Sequence, residues 1–210
     1  MTLQRGRFIT VEGQDGAGKT TNLELVHGLL REAGKEVVRS REPGGTELGE
    51  QVREWVLHAP ALDPDAELLL IFAARAQHLT QVIRPALEAG RWVLCDRFTD
   101  ATYAYQGAAR ALGHDKIAVL EQMVQGGLRP DLTLLLDVDV TVGHSRSGAR
   151  SAPDRFEVED LAFKQAVRAA YLDLAREHAA RFRVVDAGRD LTAVQRDIQS
   201  IITDFVARHQ

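Results

Sequence analysis

Short apolar runs alternate with longer stretches of helical periodicity along these 210 residues. Phe8-Ile9-Thr10-Val11-Glu12 is compact and partly β-branched, as a strand requires. Leu23, Val26, Leu29 and Leu30 recur at the spacing of one helix face, which predicts a helix over residues 19–33 that Gly34 ends. A second strand is expected at 36–40, before Glu42-Pro43-Gly44-Gly45-Thr46 interrupts any regular pattern. Helices follow over 47–57 and 65–89, separated by the turn-rich residues 59–64. Residues 92–96 and 132–137 are nearly all apolar, as strands covered on both faces should be, with a helix over 116–124 between them. A helix at 161–178, a strand at 183–186 and a helix at 191–208 close the chain.

This alternation predicts an α/β fold: one domain over 1–210 with a central parallel sheet, right-handed crossovers and helices on both faces. Ligands of such sheets bind beyond the carboxyl ends of the strands, so the residues after Val11, Val38, Leu94 and Leu136 are where chemistry is expected. Residues 143–153 are small, polar and arginine-bearing, the composition of a mobile surface segment.

Composition narrows the partners. With 26 Lys+Arg against 30 Asp+Glu the formal net charge is -4, and no long run of one sign interrupts the chain. Nucleic-acid and membrane-surface binding, which rest on a basic face, are therefore not expected. No stretch reaches the roughly 20 apolar residues of a membrane span. The first residues lack the apolar centre of a secretion signal, so a cytoplasmic protein is expected. Cys95 is the one cysteine; lying in a strand pattern, it reads as a small buried hydrophobe.

Gly13-Gln14-Asp15-Gly16-Ala17-Gly18-Lys19-Thr20 fits the P-loop pattern and sits between an apolar strand and an amphipathic helix. Glycines there let successive backbone N–H groups turn around a phosphate. Lys19 supplies a point charge to the outer phosphates and Thr20 a hydroxyl for Mg²⁺, while the helix start adds its dipole. Asp96, at the end of the third strand, is the second candidate for the Mg²⁺, directly or through water; a carboxylate capping a turn is the alternative.

Four further motifs occur in order: Arg41-Glu42-Pro43-Gly44-Gly45-Thr46; Asp96-Arg97-Phe98 leading to Ala104-Tyr105-Gln106-Gly107; Pro130-Asp131-Leu132; and Asp154-Arg155-Phe156-Glu157. Together with the P-loop they resemble the bacterial thymidylate kinase family over essentially the whole chain. The resemblance implies a three-layer P-loop NTPase fold with a short lid at about 143–157. It implies phosphoryl transfer from ATP, with Mg²⁺, to dTMP as the small-molecule substrate, and assembly as a homodimer.

Roles carry over position by position. Residues Gly13, Gln14, Asp15, Gly16, Ala17, Gly18, Lys19, Thr20 and Thr21 would hold the donor phosphates, and Asp15 would also meet the acceptor sugar. Arg41 and Arg97 are similar to residues near the acceptor phosphate, where a planar guanidinium suits the oxygens. Glu42 would act through metal-bound water or brace the P-loop. Tyr105 would pack against the deoxyribose, with Gln106 in the same pocket. Arg75 would bond the thymine O4, with Phe72 or Ile71 against the base. At Ala101-Thr102 members commonly carry two hydroxyls; here only Thr102 has one. Some members place a catalytic arginine inside the P-loop, where this chain has Gly16. Lid arginines would compensate: Arg150 for the transfer, and Arg146 for adenine or phosphate. The Asp154-Arg155 pair would position the lid or form a plain salt bridge. A kinase of another nucleotide or deoxynucleoside, and a P-loop ATPase without an acceptor, remain the alternatives.

Overall fold

The computed structural model describes residues 5–147 and 154–209. Its centre is a five-stranded sheet, all parallel, in the order β2-β3-β1-β4-β5. The strands are β1 (Phe8–Glu12), β2 (Val37–Arg41), β3 (Trp92–Asp96), β4 (Leu132–Asp137) and β5 (Phe182–Asp186). β1 is buried throughout and β3 and β4 nearly so, whereas the edge strands β2 and β5 alternate in exposure. On one face, Leu23, Val26 and Leu30 of α1 (Lys19–Glu32) meet Val194, Ile198, Ile202 and Phe205 of α9 (Leu191–Ala207) over Ile9, Val11 and Leu134. The other face carries α3 (Pro64–His78), α8 (Leu161–Glu177) and the helical segments between them. Cys95 is buried there beside Phe8, Val93 and Phe98, and burial pushes its thiol pKa well up, which leaves it a packing residue. The helix α2 (Glu47–His58) lies on α3, and α6 (His114–Gln125) packs on α3 from elsewhere.

Three departures from the sequence pattern shape the site. The helix expected over 65–89 is α3, then a π-helical turn (Leu79–Ile83), then α4 (Arg84–Glu88). Pro85 has no N–H to give the preceding turn, and the Arg84 N–H reaches back five residues to Leu79 O instead. After Asp96-Arg97-Phe98, where no helix was expected, α5 (Thr99–Thr102) runs into a second π-helical segment (Tyr103–Ala109). That widening buries four consecutive residues, Ala104, Tyr105, Gln106 and Gly107, so that Tyr105 and Gln106 both reach the site. Finally, residues 143–147, expected as irregular, belong to helix α7 (Val140–Ser147). Asp139 starts it: its carboxylate accepts from the Thr141 N–H at 2.9 Å and its carbonyl from Gly143 N at 2.8 Å. The rest of the expected lid up to residue 153 lies outside the described residues.

Candidate active site

The P-loop follows β1 and is shaped by three glycines with positive φ, Gly13 (139°), Gly16 (77°) and Gly18 (84°). Two of them are also sites of close backbone approach. A Cβ on Gly13 would lie 2.5 Å from Leu136 O of β4, and one on Gly16 only 2.0 Å from Gly143 O of α7. Gln14 fixes the loop from outside, its amide donating to Val138 O at 2.6 Å. Ala17 is buried under the loop, and Thr20 and Thr21 stand exposed on the first turn of α1. Lys19 folds over the loop and donates to Gly13 O at 2.9 Å and Gln14 O at 3.1 Å. Burial and Arg97 push its ammonium pKa down, against the pull of Asp15 and Asp96.

Arg97 joins the P-loop to the acceptor side. Its φ of 66° is unusual for a residue with a side chain, so its surroundings must hold it there. The guanidinium donates to Asp15 Oδ1 at 2.9 Å and to the Tyr171 hydroxyl at 3.2 Å, and lies 4.9 Å from the Tyr105 ring centroid. Tyr171 in turn donates to Glu12 Oε2 at 2.7 Å, and Glu12 Oε1 accepts from Phe98 N at 2.7 Å. Glu12 is fully buried at the end of β1; burial, then repulsion from Asp100, raises its carboxyl pKa to about 8. Against the cost of burial, Arg97 and Lys19 hold the Asp15 carboxyl below its ordinary range. Asp15 thus remains an anion that can accept from a hydroxyl.

Beyond Arg97 opens a cleft walled by Asp15, Glu42, Arg75, Arg97, Thr102, Tyr105 and Gln106, all expected on the acceptor. At its floor Arg75, fully buried, is held by Glu42 (Nε to Oε2, 2.7 Å) and Thr102 (Nη2 to Oγ1, 3.0 Å), between the rings of Phe72 and Phe98 at 4.8 and 5.0 Å. Its Nη1 is buried without a partner, a donor left for an acceptor atom of a bound molecule.

Several expectations change. Phe72 does not wall the cleft; it packs with Leu68 and Ile117, and Ile71 takes its place in the wall. The Phe72 ring does meet the Arg75 guanidinium, 4.8 Å away, but on the core side of Arg75. Glu42 braces Arg75 and His78 rather than the P-loop, with His78 Nδ1 at 2.9 Å from its Oε1. Arg41 is drawn to Glu50, 2.6 Å away on α2, and stands outside the cleft wall. Arg53, which the sequence reading missed, lines the cleft instead and donates to Pro43 O at 3.1 Å. Arg146, expected on the adenine or a phosphate, donates to the carbonyl of Ala187 at 2.8 Å and to that of Gly188 at 3.5 Å, just beyond β5. Arg155 pairs with Glu67, and Asp154 accepts from Phe156 N and Glu157 N, so the Asp154–Arg155 salt bridge does not form. Arg150 lies outside the described residues.

Asp96 fits the expected metal. One of its carboxylate oxygens, Oδ1, is buried with no hydrogen-bond partner, at the end of β3 near the Lys19 ammonium. A hard oxygen left unpaired in this position suits Mg²⁺.

The sequence model of the thymidylate kinase family matches residues 11–198. A thymidylate kinase of Pseudomonas putida (strain GB-1) is 58% identical over 206 residues, 97% of this chain and 98% of the relative. Those of Pseudomonas entomophila (strain L48) and Teredinibacter turnerae are 56% and 54% identical, covering 97% and 96% of this chain and 98% and 99% of their own. A P-loop on a parallel sheet, a buried arginine with a donor to spare and a match along nearly the full length agree: the chain belongs to the thymidylate kinase family, nucleoside monophosphate kinases by reaction.

Proposed function

We propose that the protein transfers the γ-phosphoryl group of ATP to dTMP, giving dTDP. Family membership supports the acceptor, and the observation that carries it here is the unpartnered Arg75 Nη1 at the floor of the cleft, where a nucleobase carbonyl would complete the guanidinium. Asp15 accepts from the sugar 3′-hydroxyl, and Tyr105, held under Arg97, packs against the deoxyribose face. Arg97 and Arg53 meet the acceptor phosphate. The P-loop and Lys19 hold the donor phosphates. Thr20 and Asp96 hold Mg²⁺, which neutralises charge on the phosphate oxygens. The reaction needs positioning and charge more than base catalysis, and Arg150 is assigned to the transferring group.

The working assembly is a homodimer. Leu48 and Trp55 of α2, Leu69 of α3, and Val119 and Met123 of α6 stand exposed on three neighbouring helices, with Trp55, Leu69 and Met123 at 51%, 57% and 73%. That apolar row is the surface a second copy would cover. The described residues contain no helix long and apolar enough to cross a membrane, in keeping with a cytoplasmic enzyme. ADP release with ATP and Mg²⁺ across a nucleoside monophosphate panel tests the activity. Turnover should depend on dTMP and fall sharply with dUMP, dGMP or AMP; faster turnover of AMP or of thymidine would sink the reading.

A further inference from the structure

Glu67 has no part in the chemistry above, yet it is the carboxylate on which the far wall of the cleft hangs. It sits in the first turn of α3 with no exposure at all. A buried anion survives only when its partners are well placed. Those of Glu67 come from separate parts of the chain. Gln106 Nε2 of the π-helical segment donates to Oε1 at 2.6 Å, Arg155 Nη2 donates to Oε2, and Arg110 Nε stands 3.9 Å from Oε1.

Each partner leads back to the acceptor. Gln106 walls the cleft, and so do Asp154 and Phe156 on either side of Arg155. The Arg155 N–H bonds Leu57 O at 3.1 Å, and Leu57 is also in the wall. Arg110 grips the same segment, pairing with Glu159 at 2.6 Å and lying 5.7 Å from the Phe156 ring. One carboxylate therefore fixes the base end of the cleft and the root of the segment that follows the expected lid.

We propose that Glu67 is a positioning residue of the transfer reaction: by holding Arg155 and Gln106 together it sets Gln106 and the 154–156 segment in the cleft wall against the acceptor. This rests on the kinase reading above. The consequence is specific, because a misplaced acceptor takes the phosphoryl group less well while the donor site, built from other residues, still passes it to water.

The test uses the full chain with Glu67→Gln, which keeps the side-chain size and removes the charge, together with Arg155→Gln and the double variant. ADP release is measured with and without dTMP. Each single variant should lower dTMP-dependent transfer by about tenfold or more while acceptor-free hydrolysis is kept or increased, so that the ratio of the two collapses. The double variant should be no worse than the poorer single one within about twofold, as expected for two residues acting as a unit. Melting temperature is read alongside: a purely structural role would lower stability and scale both activities together. An unchanged ratio, or losses that multiply in the double variant, would overturn the proposal. If Glu67→Gln fails to fold, Arg155→Gln alone decides, through the same ratio. A wild-type protein inactive on dTMP would instead defeat the reading of the acceptor.

Discussion

The phosphate side and the base side of the cleft are built on different plans. The first is almost entirely contiguous: Gly13 to Thr20 supply backbone donors, and Lys19 is tied to carbonyls of its own loop. The second is assembled from distant residues, with Arg75 of α3 bound to Glu42 after β2 and to Thr102 of α5, between rings from α3 and the β3 exit. A contiguous cradle can lose a charge without losing its shape. A buried network cannot, because each member's charge is balanced only by the others.

The strongest test of that contrast is Arg75→Leu. It leaves Glu42 buried with His78 alone, so stability should fall by about 3–5 kcal/mol, read as a lowered denaturation midpoint, with acceptor binding lost as well. Lys19→Ala should do the reverse, cutting transfer by about 10²–10³-fold while the melting temperature stays near that of the wild type. If Lys19→Ala unfolds the protein, the two sides are not built differently after all. A finer comparison lies within the base side. Ile71→Val removes one methyl from the wall and should weaken dTMP by about 0.8 kcal/mol, seen as a severalfold rise in KM. Phe72→Leu should lower stability and leave KM alone; a KM change there would return the stacking role to Phe72.

A pH-dependent test concerns Glu12, which lies under both sides. Its folded carboxyl titrates at about 8, above the ordinary 4.5, so the folded state keeps a proton that the unfolded chain has released. Between those values the native form binds more protons, and stability must fall as pH rises. Thermal melts of Glu12→Gln from pH 5 to 8 should therefore lose part of the wild-type downward slope; an unaltered slope would show that Glu12 is ionised throughout.

Legibility in the sequence followed the same division. Local signals placed all five strands and the main helices to within a few residues, and the P-loop was readable because its parts adjoin. What sequence could not give was direction. Arg41 and Arg53 lie twelve positions apart on neighbouring elements, and only the position of Glu50 decides which one faces the cleft. Phe72 and Ile71 are one residue apart, and the rotation of α3 against α6 sends Phe72 into the core. Both π-helical segments were hidden, since a one-residue widening leaves no strong trace in hydrophobic spacing. Glu67 looked like one more acidic residue in a helix's first turn; nothing local announces that its partners are 39 and 88 positions away.

The close approach of Gly16 to Gly143 bears on how this protein can change over time. With only 2.0 Å between a Cβ at position 16 and the Gly143 carbonyl, no side chain enters the loop there unless α7 first moves away. A side chain at position 16 therefore has to arrive together with a change that shifts the Gly143 turn of α7, which makes the two positions a pair that must vary together.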